Sequence, residues 1–473
     1  MRTTIVFDVE DYVTPPSGEL DDLLKMLADV MTEEQISGTF FLIGEKLRSL
    51  RDRGRSDVIE ALARHDLGSH VNLGSIHPTL TERMEHTDWA NGAARMAAEE
   101  IAGIDELSAI AGRPLRSFAR HGGSYSPQLL TMLGRRGYPY IYSPVQLPKH
   151  NINWFCNTLN FYEDGSVFQE AYHTEEALRA AEAKFESYLR ERRGFDWAMI
   201  FQSHPCHIKT QSFWDKNYYA GQNPQPEDWK TPEFYPEFSM QAVQRNWGAH
   251  CARLRDNPDL TIATISELAT EFGRQAVSAG TKEIKVLASR AAECREPFHS
   301  DRFTAAEILD ILARAYVCRA ESGTLPTILQ RRNVDGPTEM PPAVPTARRL
   351  GPEALLRAAR GVSVAVDMTG RLPSGICCGE GTIGSAGEVG IASILRALGE
   401  SLASGRQDQD IVPIPVAPYP STAETVVDAV RKYRKWSCHR PDLDMDTICR
   451  LSALQCWTLK PAWPGRPPEF GAS

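Results

Sequence analysis

Four clusters in this chain have the residue types and spacing for metal-binding or acid–base chemistry. Asp8-Val-Glu10-Asp11 follows directly on a β-type run, Thr4-Ile-Val-Phe7. If that run stays extended, Asp8 and Glu10 point to one side and Asp11 to the other. Paired carboxylates at the end of a parallel strand can hold a cation or move a proton, and βα folds collect their active sites at such ends. The alternative is a solvated acidic turn. His70 and His77 lie in Gly68-Ser-His-Val-Asn-Leu-Gly-Ser-Ile-His-Pro78. Imidazole is a good zinc ligand, and two histidines with one carboxylate leave coordination positions for water and substrate. Arg120 sits in a glycine-rich loop, Arg120-His-Gly-Gly-Ser-Tyr125, before a helix that Pro127 can start. Its spacing fits neither the dinucleotide nor the phosphate-loop fingerprint. His204 ends the apolar run Ala198-Met-Ile-Phe-Gln-Ser-His-Pro205, where an imidazole can serve as general acid.

Composition bounds what these clusters can serve. The 473 residues carry 52 Lys+Arg against 61 Asp+Glu, a net charge of −9, which argues against a grip on nucleic-acid phosphates. The length suits two to three domains, and 42% hydrophobic residues suffice for a core in each. No run reaches the ~18 apolar residues of a membrane span. The N-terminus lacks the apolar stretch of an export signal, so the expected compartment is cytoplasmic, where the cysteines stay reduced. Ten of the 12 histidines lie at or before His250, whereas seven of the 10 cysteines follow Gly280. Metal and acid–base chemistry is therefore expected in the first part.

The elements that must position these residues alternate along the first part. Strands are read at Thr4–Phe7, Gly38–Ile43, Asp66–His70, Leu115–Ala119, Tyr138–Tyr142, Trp197–Phe201 and after Leu260. Helices are read at Asp21–Met31, Asp57–Ala63, Asn91–Ala111, Pro127–Arg136 and Thr174–Arg192, with another ending near Phe272. Such a series of βα units makes a parallel-sheet α/β domain, a barrel or a doubly wound sheet. Residues 1–275 are assigned to it and residues 276–473 to a mainly α (α+β) C-terminal domain of unknown function. Pro337–Pro345 reads as a linker or long loop. Two similar phrases, Ser322-Gly-Thr-Leu-Pro326 and Thr369-Gly-Arg-Leu-Pro373, are either two degenerate repeats or unrelated turns. The aromatic stretch Phe213–Phe238 either lines a sugar-binding cleft or packs as an extended loop.

In chain order the motifs form an acidic cluster after the first strand, a Thr-Phe-Phe strand, a His-rich turn, an Arg-His-Gly-Gly loop and a late strand ending Ser-His-Pro. In these phrases, over roughly residues 1–272, the sequence resembles the NodB-type polysaccharide deacetylases, carbohydrate esterase family 4. The resemblance implies a deformed (β/α)7-type barrel holding one divalent metal, typically zinc. Asp8 would match the general base, Arg120 the residue orienting it, and His204 the acid that protonates the leaving amine. Glu10 would match the metal carboxylate, with Asp11 as the alternative, and His70 a metal ligand. The second ligand histidine of the family stands four residues after the first, where this chain has Gly74, so His77 is taken in its place. Asp11, Gly122, Gly123 and Tyr125 would contact substrate, and Asp196 is the candidate for the acid that tunes His204.

The implied function is a metal-dependent hydrolase removing an N-acyl (acetyl) group from an amino sugar or related small molecule. Two alternatives stay open: an allantoinase-like hydrolase of a non-peptide C–N bond, and a catalytically lapsed glycan-binding protein. Expected partners are a small-molecule or glycan substrate, with neither nucleic acid nor a membrane span. The C-terminal domain leaves room for a homo-oligomer.

Overall fold

In the computed structural model of the chain, strand β1 (Arg2–Val9) is buried along almost its whole length between two parallel neighbours. The structure describes residues 1–162, 165–273, 276–342, 349–378, 388–405 and 410–464. Residues 343–345 of the proline-rich stretch and residue 275, where the sequence reading ends the first domain, lie outside them. The chain forms two compact units. The first comprises residues 1–153, 158–272 and 430–447, and the second residues 154–157, 273–429 and 448–473.

The first unit is built on one curved sheet. After β1 come β2 (Thr39–Leu42), β3 (Asp66–Ser69), β4 (Phe118–Ala119), β5 (Tyr140–Ser143), β6 (Ile152–Phe155), β7 (Thr158–Tyr162), β8 (Ser166–Val167), β9 (Ala198–Ser203) and β10 (Thr261–Ile262). Nine of these run in the order β7-β5-β4-β3-β2-β1-β9-β8, with β10 beside the start of β1. Their pairings are parallel. Strands β1, β2, β4 and β5 are buried on both faces, as a parallel sheet covered by helices requires. This is the deformed α/β barrel expected from the sequence, opened to a half-barrel. At its centre Phe7 stacks on Phe40 at 4.8 Å, and Trp247 meets Phe7 edge-on at 5.8 Å. The indole N–H of Trp247 donates to Leu27 O at 3.0 Å, so this buried ring keeps its polar atom paired.

The long helix read over Asn91–Ala111 is broken in the structure. It runs as Trp89–Met96, a π turn at Ala97–Ile101, then Ala102–Ile110. The π turn carries Glu100, fully buried, whose Oε2 accepts from Asn72 N at 2.9 Å, two residues past His70. Such bulges widen a helix locally, and periodicity alone does not show them. Burial pushes the Glu100 carboxyl up to about 7 against its hydrogen bond from Asn72 and the nearby Arg83. The native carboxyl therefore keeps its proton to higher pH than the unfolded one, and the native state loses stability as pH rises from about 4.5 to 7. Glu100→Gln is expected to remove that loss. Thermal melts should show the variant more stable than the parent at pH 8, by up to about 3 kcal/mol, and level with it at pH 4.

In the second unit, helices Thr281–Ala292 and Ile391–Ser404 pack on each other, as do Ala305–Ser322 and Pro352–Thr369. Two short antiparallel pairs accompany them: β11 (Ser278–Gly280) with β12 (Ile328–Gln330), and β13 (Gly375–Cys377) with β14 (Glu388–Gly390). The two Gly-x-Leu-Pro phrases occupy equivalent places. Each glycine ends a helix in the left-handed region, Gly323 at φ 75° and Gly370 at φ 70°, and each phrase leads into a strand of one pair. Among the described residues, no helix of either unit is long and apolar enough to cross a membrane.

Candidate active site

Five of six consecutive strands of the first unit, β5-β4-β3-β2-β1-β9, deliver their chemistry at one edge. Parallel pairing aligns Val9 with Leu42, Leu42 with Ser69, and Ser69 with Phe118. The residues just beyond that level are therefore neighbours in space although far apart in sequence. Glu10 follows β1, His70 follows β3, Arg120 and His121 follow β4, and His204 follows β9. Asp8 shares the side of Glu10 within β1, and Tyr142 comes from β5. Tyr142 sits at φ 63° and Val71, next to His70, at φ 69°. Both are backbone conformations a side chain rarely adopts, held here by surrounding packing at the site edge.

One carboxylate oxygen is the focus. Oε1 of Glu10 lies 3.0 Å from His70 Nε2, 3.1 Å from His121 Nδ1 and 3.2 Å from His204 Nε2. His70 Nε2 and His121 Nδ1 are 3.3 Å apart. Trp214 Nε1 donates to the other oxygen of Glu10 at 2.9 Å. His70 Nδ1 faces the carbonyl of Ala119 at 3.2 Å, and a carbonyl can only accept, so that nitrogen carries the proton. That contact fixes the ring, so its Nε2 is the nitrogen turned to the carboxylate oxygen of Glu10. His121 repeats the arrangement, with Nε2 on Ser75 Oγ at 2.9 Å. Imidazole nitrogens and a carboxylate converging on one point are the donor set of a cation site, with each ring oriented by its far nitrogen. Glu10, His70 and His121 form one such group, and Asp8, Glu10 and His204 another.

Asp8 stands beside these donors. Tyr142 Oη donates to its carboxylate, 3.1 Å from each oxygen. His70 Nε2 and His204 Nε2 lie 3.7 and 3.9 Å from its Oδ2. Burial raises the Asp8 carboxyl above its ordinary value, only partly opposed by His70, His204 and the Tyr142 hydroxyl. Burial pushes Glu10 the same way, but His204 and His121 outweigh it and hold Glu10 well below the usual range. For His204, burial disfavours the charged ring, while Glu10 and Asp8 overcome that and raise its pKa. Two neighbouring carboxyls pushed apart beside a histidine pushed up is the pattern by which acid and base roles separate. These groups open on a cavity of about 670 Å³, also lined by Arg120, Gly122, Phe213, Asp215, Tyr219 and Trp436.

The other residues named from sequence take different places. His77 is not brought to the cluster: Nδ1 pairs with Glu82 at 2.9 Å, and Nε2 donates to the carbonyl of Tyr218 at 2.8 Å. Glu82 in turn closes the capping box of helix Leu80–Met84. Gly74 turns the chain at φ 57°, and a Cβ there would press on Ile43 at 3.1 Å, so the loop requires glycine at that position. Asp11 turns away, accepting from the backbone of Val13 and Thr14, both at 2.9 Å. Arg120 lines the cavity; its Nε donates to Tyr142 O at 3.0 Å, and its guanidinium lies 4.1 Å over the Tyr433 ring. Gly122 lines the cavity at φ 49°, where any Cβ would fall inside the indole of Trp436, whereas Gly123 and Tyr125 are not among its lining residues. Asp196 pairs with His150 at 3.3 Å.

His121, Tyr142, Asp215 and Trp436 join the site without having been expected there from sequence. His121 had a signal, being an imidazole one residue beyond Arg120 at the end of a strand. Trp436 had none, since residues 430–447 reach this unit only through the tertiary fold.

No family model matches the chain, and no curated protein sequence does. Solved structures with some likeness include a CE4 family pseudoenzyme from Bacillus anthracis, at 10% identity over 57% of this chain and 65% of that one, with TM-score 0.30. A putative polysaccharide deacetylase from Mycobacterium smegmatis shares 14% identity over 57% and 89%, with TM-score 0.34. Puue allantoinase shares 11% over 57% and 89%, with TM-score 0.36. At these scores the likeness carries neither family nor activity to this chain.

Proposed function

We propose that this protein is a metal-dependent hydrolase that removes an N-acyl group from an amino sugar or a related small molecule. The observation that carries this reading is the convergence of His70, His121 and His204 on one oxygen of Glu10, with Asp8 alongside at the wall of a cavity. Glu10, His70 and His121 would hold a divalent cation, and the two imidazoles favour zinc. Bound there, the cation supplies Lewis acidity toward an amide oxygen and a nearby water. Asp8 accepts the proton the water gives up, and the Tyr142 hydroxyl keeps its carboxylate turned to the cavity. His204, raised in pKa, donates a proton to the departing nitrogen so that it leaves as an amine. Arg120 borders the cavity and fixes the backbone of Tyr142.

A cavity of about 670 Å³ is of the size that encloses a small molecule or a short piece of a chain. The test is acetate release from a panel of N-acetylated amino sugars by chelator-treated protein with and without added zinc. Release is expected only with the metal. Equal release without it, or none from any substrate with zinc bound, would overturn the reading.

A further inference from the structure

We propose that Asp215 is the residue by which the cavity selects a hydroxyl-bearing ring. The proposal deepens the hydrolase reading and rests on it for the amide end of the ligand. Asp215 lies in the turn Trp214–Gly221, is only 6% exposed and lines the cavity. Its two oxygens differ. Oδ2 accepts from the Cys438 thiol at 3.3 Å, whereas Oδ1 is buried and has no hydrogen-bond partner among the described residues. Buried carboxylate oxygens are almost always paired, and an orphan at a cavity wall is accounted for when a ligand brings the donor.

The pose of Asp215 is built rather than incidental. The Cys438 sulfur also reaches the backbone carbonyl of Asp215 at 3.8 Å, so the same residue holds both the main chain and one carboxylate oxygen of this position. One oxygen is thus held by the Cys438 thiol, and the other is left for the ligand. Trp436 and Ser437, beside Cys438, line the same cavity, so residues 436–438 both form a wall and anchor the carboxylate.

Charge decides the kind of donor. A divalent cation and Arg120 offset the carboxylates of Asp8, Glu10 and Asp215, and the acid His204 lines the same cavity, so no surplus negative charge remains to draw an ammonium. A neutral O–H fits the orphan oxygen, and Phe213, Tyr219 and Trp436 supply apolar surface for the ring that carries it.

The test uses full-length zinc-loaded protein and two probes with the same amide on a six-membered ring: N-acetylglucosamine, and N-cyclohexylacetamide, which has no hydroxyls. Saturation-transfer NMR titrations give both affinities, and the acetate signal in the same spectra reports hydrolysis separately. Wild type is expected to prefer N-acetylglucosamine by at least about tenfold, because a site built to bond a hydroxyl rejects the analogue lacking it. Asp215→Ala should erase that preference while leaving the cyclohexyl probe bound as before. Asp215→Asn, which keeps an acceptor and the shape, should retain part of it and covers the case in which the alanine variant does not fold. An unchanged preference in Asp215→Ala, equal binding of both probes by wild type, or no binding of N-acetylglucosamine would overturn the proposal. A preference that depends on Asp215 without any acetate signal would support it and count against the hydrolase reading alone.

Discussion

His121→Ala is expected to strip the protein of its metal, and His77→Ala to leave the metal in place. In His121→Ala the Glu10 oxygen loses one of the two imidazole nitrogens that stand within 3.1 Å of it. Loss of an outer-shell partner alone costs about 10–100-fold in metal affinity, so loss of a ligand should exceed a hundred-fold. His70→Ala should match it. His77 has both ring nitrogens engaged elsewhere, and its replacement disturbs Glu82 and the start of helix Leu80–Met84. That variant should show a lowered melting temperature with about one ion per chain retained. Metal analysis on dialysed proteins decides between the two histidines; an ion lost with His77 and kept without His121 would reverse the assignment.

The second large effect is expected at Asp8. Asp8→Asn keeps the shape and a partner for the Tyr142 hydroxyl but cannot take a proton from water. Acetate release should fall by about 10³-fold, within the range for a lost general base, with the ion still bound. His204→Ala should cost a similar factor for a different reason, because the leaving nitrogen loses its acid. The two are separable by leaving group: an acylated amine of low basicity should recover much of its rate in His204→Ala and none in Asp8→Asn. A metal-free Asp8→Asn protein would show instead that Asp8 is a ligand, the arrangement offered by the Asp8, Glu10 and His204 group.

Strand ends account for most of what was legible beforehand. Asp8 and Glu10, His70, Arg120 and His204 all sit at or just past apolar runs that the structure shows as β1, β3, β4 and β9. Alternation and burial of short β-rich runs are local properties, so the βα series could be read residue by residue. The partner of His70 could not. The seven-residue spacing to His77 suggested proximity, but the left-handed turn at Gly74 carries the chain away and His77 settles against Glu82. His121 takes the place beside His70 because β3 and β4 pair in parallel, an alignment between segments about 50 residues apart. The π turn that buries Glu100 and the cavity wall at Trp436 were hidden for related reasons, one a packing defect in an otherwise regular helix, the other a return of the chain after about 160 residues in the second unit.

The amino-acid order alone thus specified an α/β domain with carboxylates and imidazoles gathered at strand ends, since strand period, turn residues and burial follow from near neighbours in the chain. Which imidazoles meet Glu10, which carboxylate oxygen is left without a donor, and which distant segment closes the cavity were decided by the fold. Convergence within 3 to 4 Å depends on the register between strands and on long-range packing, and neither is written in any one stretch of sequence.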